Sequence, residues 1–178
     1  MQLIEALSDL CKSSAKPIIA IDGPAGSGKT TIAHDIFLAM APHVSTRVIH
    51  MDDLYPGWAD ALGNQLTETL TYIVASHKKA APFSLSFYDW KAGEFLQAQK
   101  CEPTELLILE GVGAGQSAIR SDISALVWMD IDPVVGLSRV LQRDGVEIKD
   151  AMSAWLIQQE QHFRVEDTQN AADFILTT

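Results

Sequence analysis

One octapeptide restricts this chain more than any other feature: Gly23-Pro24-Ala25-Gly26-Ser27-Gly28-Lys29-Thr30. It follows the apolar run Ile18-Ile19-Ala20-Ile21-Asp22 and precedes a stretch whose Ile32, Ile36, Phe37 and Met40 repeat at helical spacing. The segment fits Gly-x4-Gly-Lys-Ser/Thr, and its place between a strand and a helix starting near Ser27 is what gives the pattern weight. Glycine lets a backbone bend tightly around an anion, and the N–H groups of the turn and first helical turn then point at it. The candidate contacts are Gly23, Ala25, Gly26, Ser27, Gly28, Lys29, Thr30 and Thr31. Lys29 is placed to reach the β- and γ-phosphates, and the Thr30 hydroxyl to hold Mg2+. The chain is therefore read as binding a nucleoside triphosphate.

Around this loop the sequence alternates strands with helices. Arg47 to Met51 reads as a strand leading into Asp52-Asp53, and Asn64 to Lys78 as a helix with Leu66, Leu70, Ile73 and Val74 on one side. Pro82 to Trp90 alternates apolar and polar residues, the pattern of an extended or hairpin segment. Leu106 to Leu109 and Ala125 to Met129 are wholly apolar runs ending at Glu110 and Asp130, as in central parallel strands covered on both faces. Helices are expected from Pro133 to about Arg143 and from about Lys149 to Phe163, with a last strand near Asp173 to Leu176. That order predicts an α/β fold, a doubly wound parallel sheet of five strands whose ligands bind at the strands' carboxyl ends.

The 178 residues suit a single domain spanning 1–178, with an N-terminal helix within 1–15. Leu3, Ile4, Leu7 and Leu10 give that helix one apolar face, while Glu5 and Asp9 argue against a signal peptide. Thirteen Lys and Arg against twenty-three Asp and Glu leave a net charge of −10, which argues against nucleic-acid and anionic-membrane partners. No apolar run approaches the roughly 20 residues that span a bilayer. Cys11 and Cys101 lack metal-ligand spacing and are read as isolated thiols, in keeping with the cytoplasm. Self-association into a homo-oligomer is compatible with this composition.

Several residues beyond the loop carry candidate chemistry. Asp52 or Asp53 can orient an acceptor hydroxyl and take its proton, or can cap the following turn. Glu110 ends an apolar strand, where a carboxylate can face a metal and its waters. Arg139 and Arg143 are four apart on a helix and can neutralise charge on a transferring phosphate, with Gly145 opening a lid-like loop beyond them. Tyr88-Asp89-Trp90 can stack on a ring or belong to the core. His34, His43, His50, His77 and His162 do not cluster and are read as surface or packing residues. No Asn-Lys-x-Asp guanine-reading motif is present.

With Gly23–Thr30, Asp52-Asp53-Leu54-Tyr55, Tyr88-Asp89-Trp90, Glu110-Gly111-Val112 and Arg139…Arg143-Asp144 in this order, the chain resembles the uridine kinase and phosphoribulokinase group of P-loop kinases. The resemblance runs from about Pro17 to Phe163. It implies the three-layer α/β/α P-loop NTPase fold, in the nucleoside-kinase variant, with a lid and flanking helices over 136–164. It also implies transfer of the γ-phosphate of ATP, with Mg2+, to a hydroxyl of a small-molecule acceptor. On this resemblance Asp52, Lys29 and Arg143 are catalytic, and Arg139 contacts the nucleotide. Asp52, Tyr55, Tyr88 and Trp90 hold the acceptor, and Thr30, Asp52 and Glu110 face the metal. Two departures stand out. Lys91-Ala92-Gly93-Glu94 lacks the family's base-recognising histidine, and Gly145 to Lys149 lacks its arginine-rich lid. They leave a second reading open, an ATP-binding regulatory module without metabolite kinase activity.

Overall fold

The computed structural model describes residues 2–178. In chain order its elements are α1 (Gln2–Cys11), β1 (Ile18–Asp22), α2 (Lys29–Met40), β2 (Thr46–His50), α3 (Asn64–Lys78), β3 (Phe83–Leu85), β4 (Tyr88–Asp89), β5 (Glu94–Phe95) and β6 (Gln99–Cys101). They continue with β7 (Leu106–Glu110), α4 (Ser117–Arg120), β8 (Ala125–Asp130), α5 (Pro133–Asp144), α6 (Lys149–Glu166) and β9 (Phe174–Thr177). A short 3-10 turn, Met51–Asp53, follows β2.

The main sheet runs β2-β7-β1-β8-β9, every pair parallel. The fully apolar runs occupy its middle: β1 and β7 are buried along their whole length and β8 at all but its last residue, whereas the edge strand β9 alternates. Because side chains alternate across a strand, each central strand feeds two cores. Leu107 and Leu109 join Leu66, Leu70, Ile73, Val140, Met152 and Trp155 on the side of α3, α5 and α6. Leu106 and Ile108 join Leu7, Ala33, Ile36 and Met40 on the side of α1 and α2. This is the three-layer α/β/α arrangement expected from the sequence.

Local details refine the expectations. The helix expected near Ser27 begins at Lys29, because Gly28 takes a left-handed φ of 89° that no helix interior admits. The alternating segment at 82–90 forms two antiparallel ribbons: β3 pairs with β6, and β4 with β5. The first turn of α5 is set by Pro133 and by Asp132, whose Oδ1 accepts from the amides of Val134 and Val135 at 2.9 and 3.2 Å. Cys11 and Cys101 are free thiols. Among the described residues no helix is long and apolar enough to cross a membrane.

Candidate functional site

The carboxyl ends of β1, β2 and β7 open on a cavity of about 670 Å³ bounded on its far side by α5 and α6. Its floor is the glycine loop. Gly26 is where the loop has no alternative residue: its φ is +80°, and a Cβ would lie 2.3 Å from the carbonyl oxygen of Gly136 on α5. Two glycines thus let the loop and α5 meet backbone to backbone. At the first turn of α2, the amides of Gly28, Lys29 and Thr30 donate to no protein acceptor among the described residues. Unpaired N–H groups at a helix N-terminus facing a cavity form an anion site.

Asp22 fixes this loop from below. Its carboxylate is wholly buried and accepts three backbone amides, Gly23 at 2.7 Å, Gly113 at 3.0 Å and Gly115 at 2.8 Å. Burial pushes its pKa up, and the three amides oppose that. From the other side, the Oε1 of Gln159 on α6 accepts from the Ala25 amide at 3.1 Å. Lys29 is buried, and its Nζ donates to the Pro24 carbonyl at 2.8 Å. Burial lowers its pKa, while Asp22, Glu110 and Asp52 hold the charge in place.

Both acids of the Asp52-Asp53 pair reach the cavity. Asp52 is open to water yet set deep in the concave wall, so lost hydration, then the nearby Glu110 charge, raises its pKa; Lys29 and Arg143 pull it down. Burial also raises the Asp53 pKa, with His50 opposing the rise and the Glu110 charge adding to it. Glu110 is buried at the end of β7, and its Oε1 accepts from Thr30 Oγ1 at 3.1 Å. Thr30 and Glu110 offer hard oxygens beside the anion site. No three His, Cys, Asp or Glu among the described residues gather to chelate an ion alone. That combination fits Mg2+, which uses one or two protein oxygens and completes its shell with phosphate and water.

Arg139 and Arg143 both line the cavity. Arg139 Nη1 donates to the Gly26 carbonyl at 3.4 Å and to Thr178 Oγ1 at 3.2 Å. Arg143 is bound in a fork to Asp144, Nε to Oδ1 at 2.7 Å and Nη2 to Oδ2 at 2.6 Å. The remaining wall is aromatic. Trp58 stands edge to face between Trp90 and Trp155, with centroids 5.2 and 6.3 Å away, and Trp90 Nε1 donates to the Asp52 backbone carbonyl at 2.8 Å. Tyr55 borders the cavity, but its hydroxyl donates to the Val112 carbonyl at 2.7 Å and is not free for a ligand. Tyr88 stands behind this wall: its ring packs against Trp90 and Phe95, and it does not line the cavity.

Four contributors escape a reading of the sequence: Asp22, His50, Trp58 and Trp155. His50, read above as surface or packing, instead places Nδ1 2.5 Å from Glu110 Oε2, which raises its pKa. An acid closing an apolar strand was a visible signal for Asp22. Nothing local marked the other three. A second, smaller depression of about 360 Å³ between α3 and the β3–β5 segment carries no charged side chain and lies away from these groups.

Comparison with known proteins agrees with this geometry. A uridine kinase of Lactobacillus johnsonii is 28% identical over 188 residues, covering 92% of this chain and 87% of that protein. A uridine kinase of Lactobacillus helveticus is 30% identical over 148 residues, covering 71% of this chain and 67% of that protein. A solved structure described as a possible uridine kinase from Bacillus stearothermophilus superposes with a TM-score of 0.67 at 20% identity, covering 99% of this chain and all of the other. No family model matches the chain.

Proposed function

The chain belongs to the uridine kinase family of P-loop kinases, and on that basis we propose that it transfers the γ-phosphate of ATP to a hydroxyl of a nucleoside-like metabolite. The observation that carries this reading is the cavity itself, which has the anion-binding loop with Lys29 at one end and Asp52 in the same wall. Phosphoryl transfer asks for positioning and charge neutralisation more than covalent chemistry, and those are what the lining offers.

In this reading the amides at the start of α2 and the Lys29 amine hold the β- and γ-phosphates. Lys29 leaves the Pro24 carbonyl to do so. Thr30 and Glu110, with Asp52, would hold Mg2+, which would supply charge neutralisation at the phosphates. Asp52 orients the acceptor hydroxyl and takes its proton as the bond to phosphorus forms; its raised pKa moves it toward the working pH of a general base. Arg139 neutralises charge at the loop. Arg143 joins it once its fork to Asp144 opens toward the phosphate. The acceptor's remaining surface lies against Trp58, Trp90 and Trp155, with Tyr88 bracing Trp90 from behind. An aromatic wall of this kind suits a neutral, flat-faced acceptor. The curated relatives' name, uridine kinase, supports a nucleoside.

The test is ADP release across a panel of nucleosides and other hydroxyl-bearing metabolites. One acceptor should stimulate turnover. Asp52→Asn should remove that stimulation by about 10²- to 10⁴-fold, the usual worth of a general base, while ATP binding measured by calorimetry persists. If no acceptor stimulates the wild type, or if Asp52→Asn keeps the stimulation, the kinase reading fails.

A further inference from the structure

The parallel register of β2 and β7 sets His50 directly beside Glu110 at the mouth of the nucleotide site. The Glu110 side chain is only 7% exposed, and each of its oxygens has one side-chain partner. Oε1 accepts from the Thr30 hydroxyl at 3.1 Å, and Oε2 accepts from His50 Nδ1 at 2.5 Å. An ionised carboxylate only accepts, so the Nδ1 of His50 carries the proton in this contact. The imidazole itself is 42% exposed, and its other nitrogen makes no hydrogen bond among the described residues. The ring is therefore held by this one contact and by its place at the strand end.

Without the imidazole, Glu110 is a nearly buried carboxylate tethered at a single oxygen. The last torsion of a glutamate is broad and roughly two-fold, so one tether leaves the group free to turn. Its surroundings encourage turning: Asp52 and Asp53 lie close enough for their charges to act at this site. Repulsion would swing Glu110 away from Thr30 and open the pair of oxygens that a hard cation needs. Outer-shell partners of metal-binding side chains serve to prevent this.

We propose that His50 is a positioning residue for the metal–nucleotide complex: by holding Glu110 Oε2 it keeps Oε1 aimed at Thr30 Oγ1, so that the two oxygens are pre-arranged for Mg2+. The inference rests on the proposed function only in requiring a Mg2+–nucleotide at Thr30. It does not depend on the acceptor.

Calorimetric titration with ADP, once with excess Mg2+ and once with EDTA, tests it through the factor by which Mg2+ tightens ADP binding. His50→Ala should lower that factor about tenfold, within the range typical of lost outer-shell partners, and leave the EDTA affinity unchanged. His50→Asn keeps a donor at the position of Nδ1 and should restore most of the factor. Glu110→Gln should lose at least as much as His50→Ala, and the double variant no more than Glu110→Gln alone, because contacting residues in one network are not additive. The proposal is overturned by an unchanged factor in His50→Ala, by equal losses with Mg2+ and EDTA, or by additivity with Glu110→Gln. Should His50→Ala fail to fold, His50→Asn decides alone: a factor more than tenfold below wild type in a folded His50→Asn sinks the idea, and a retained one upholds it. A wild type that binds ADP equally well with and without Mg2+ also overturns it. A wild type that passes these titrations yet phosphorylates no acceptor would refute the proposed function and leave the role of His50 standing.

Discussion

The two ends of the cavity are built in different ways. The phosphate end is one stretch of chain: Gly23 to Thr30 is contiguous, its donors are main-chain amides joined by the Lys29 amine, and Asp22 within the preceding strand staples it in place. The aromatic end, the proposed acceptor side, is assembled from distant side chains, with Trp58 from the loop after β2, Trp90 from the turn after β4 and Trp155 from α6. A backbone site tolerates almost no change in shape, since its donors cannot be moved one at a time. A side-chain wall can exchange one ring for another and admit a different acceptor. Conserving the first while varying the second is a physical route by which one phosphoryl-transfer scaffold can serve several metabolites.

The largest expected effect breaks the phosphate end without touching the other. Gly26→Ala puts a methyl into the Gly136 carbonyl oxygen and asks alanine for a φ of +80°. We expect ADP affinity measured by calorimetry to fall at least about a hundredfold, a loss of ~2.7 kcal/mol or more. The tryptophan cluster should keep its near-ultraviolet circular dichroism. Retained affinity would mean that loop and α5 are not locked together.

Next in size is Trp155→Ala. The ring is 5% exposed and packs against Tyr55 and Trp58, so truncation should cost about 3–5 kcal/mol of stability in urea unfolding, as for other buried aromatics. In folded protein the acceptor KM should rise much more than the Kd for ADP. Equal changes in both constants would show that the two ends are not separable.

The smallest effect concerns a region remote from both. His77 is buried and its Nε2–H donates to the Pro17 carbonyl at 3.1 Å. Burial lowers its pKa, so the folded state binds the proton less readily than the unfolded chain. His77 therefore supports the fold fully above the ordinary histidine pKa of about 6.5, and that support is lost as pH falls below it. Thermal melts from pH 7.5 to 5.5 should decline less steeply for His77→Gln than for the wild type. Parallel declines would assign the slope to other groups, among them the similarly shifted His162.

The same contrast explains how much could be read in advance. Glycine loop, flanking strand and helix follow from residues within hydrogen-bonding distance along the chain. The three central parallel strands follow from runs so apolar that only a sheet covered on both faces could bury them. Asp52 and Glu110 were visible because each ends or follows a strand, and Arg139 and Arg143 because they stand four apart on one helix. Tyr55 and Tyr88 were harder: residue type could not reveal that one hydroxyl would be committed to Val112 and that the other ring would stand behind Trp90.

By itself, the amino-acid order determined a phosphate-binding turn and the parallel sheet that presents it, because both arise from backbone freedom and apolar periodicity along neighbouring residues. Tertiary structure alone decided that His50 would meet Glu110, that Asp22 would tie two glycine-bearing loops together, and that three indoles from separate segments would form one wall. Those contacts join residues up to about a hundred positions apart, and they come into being only when the strands take their register and the helices close over them.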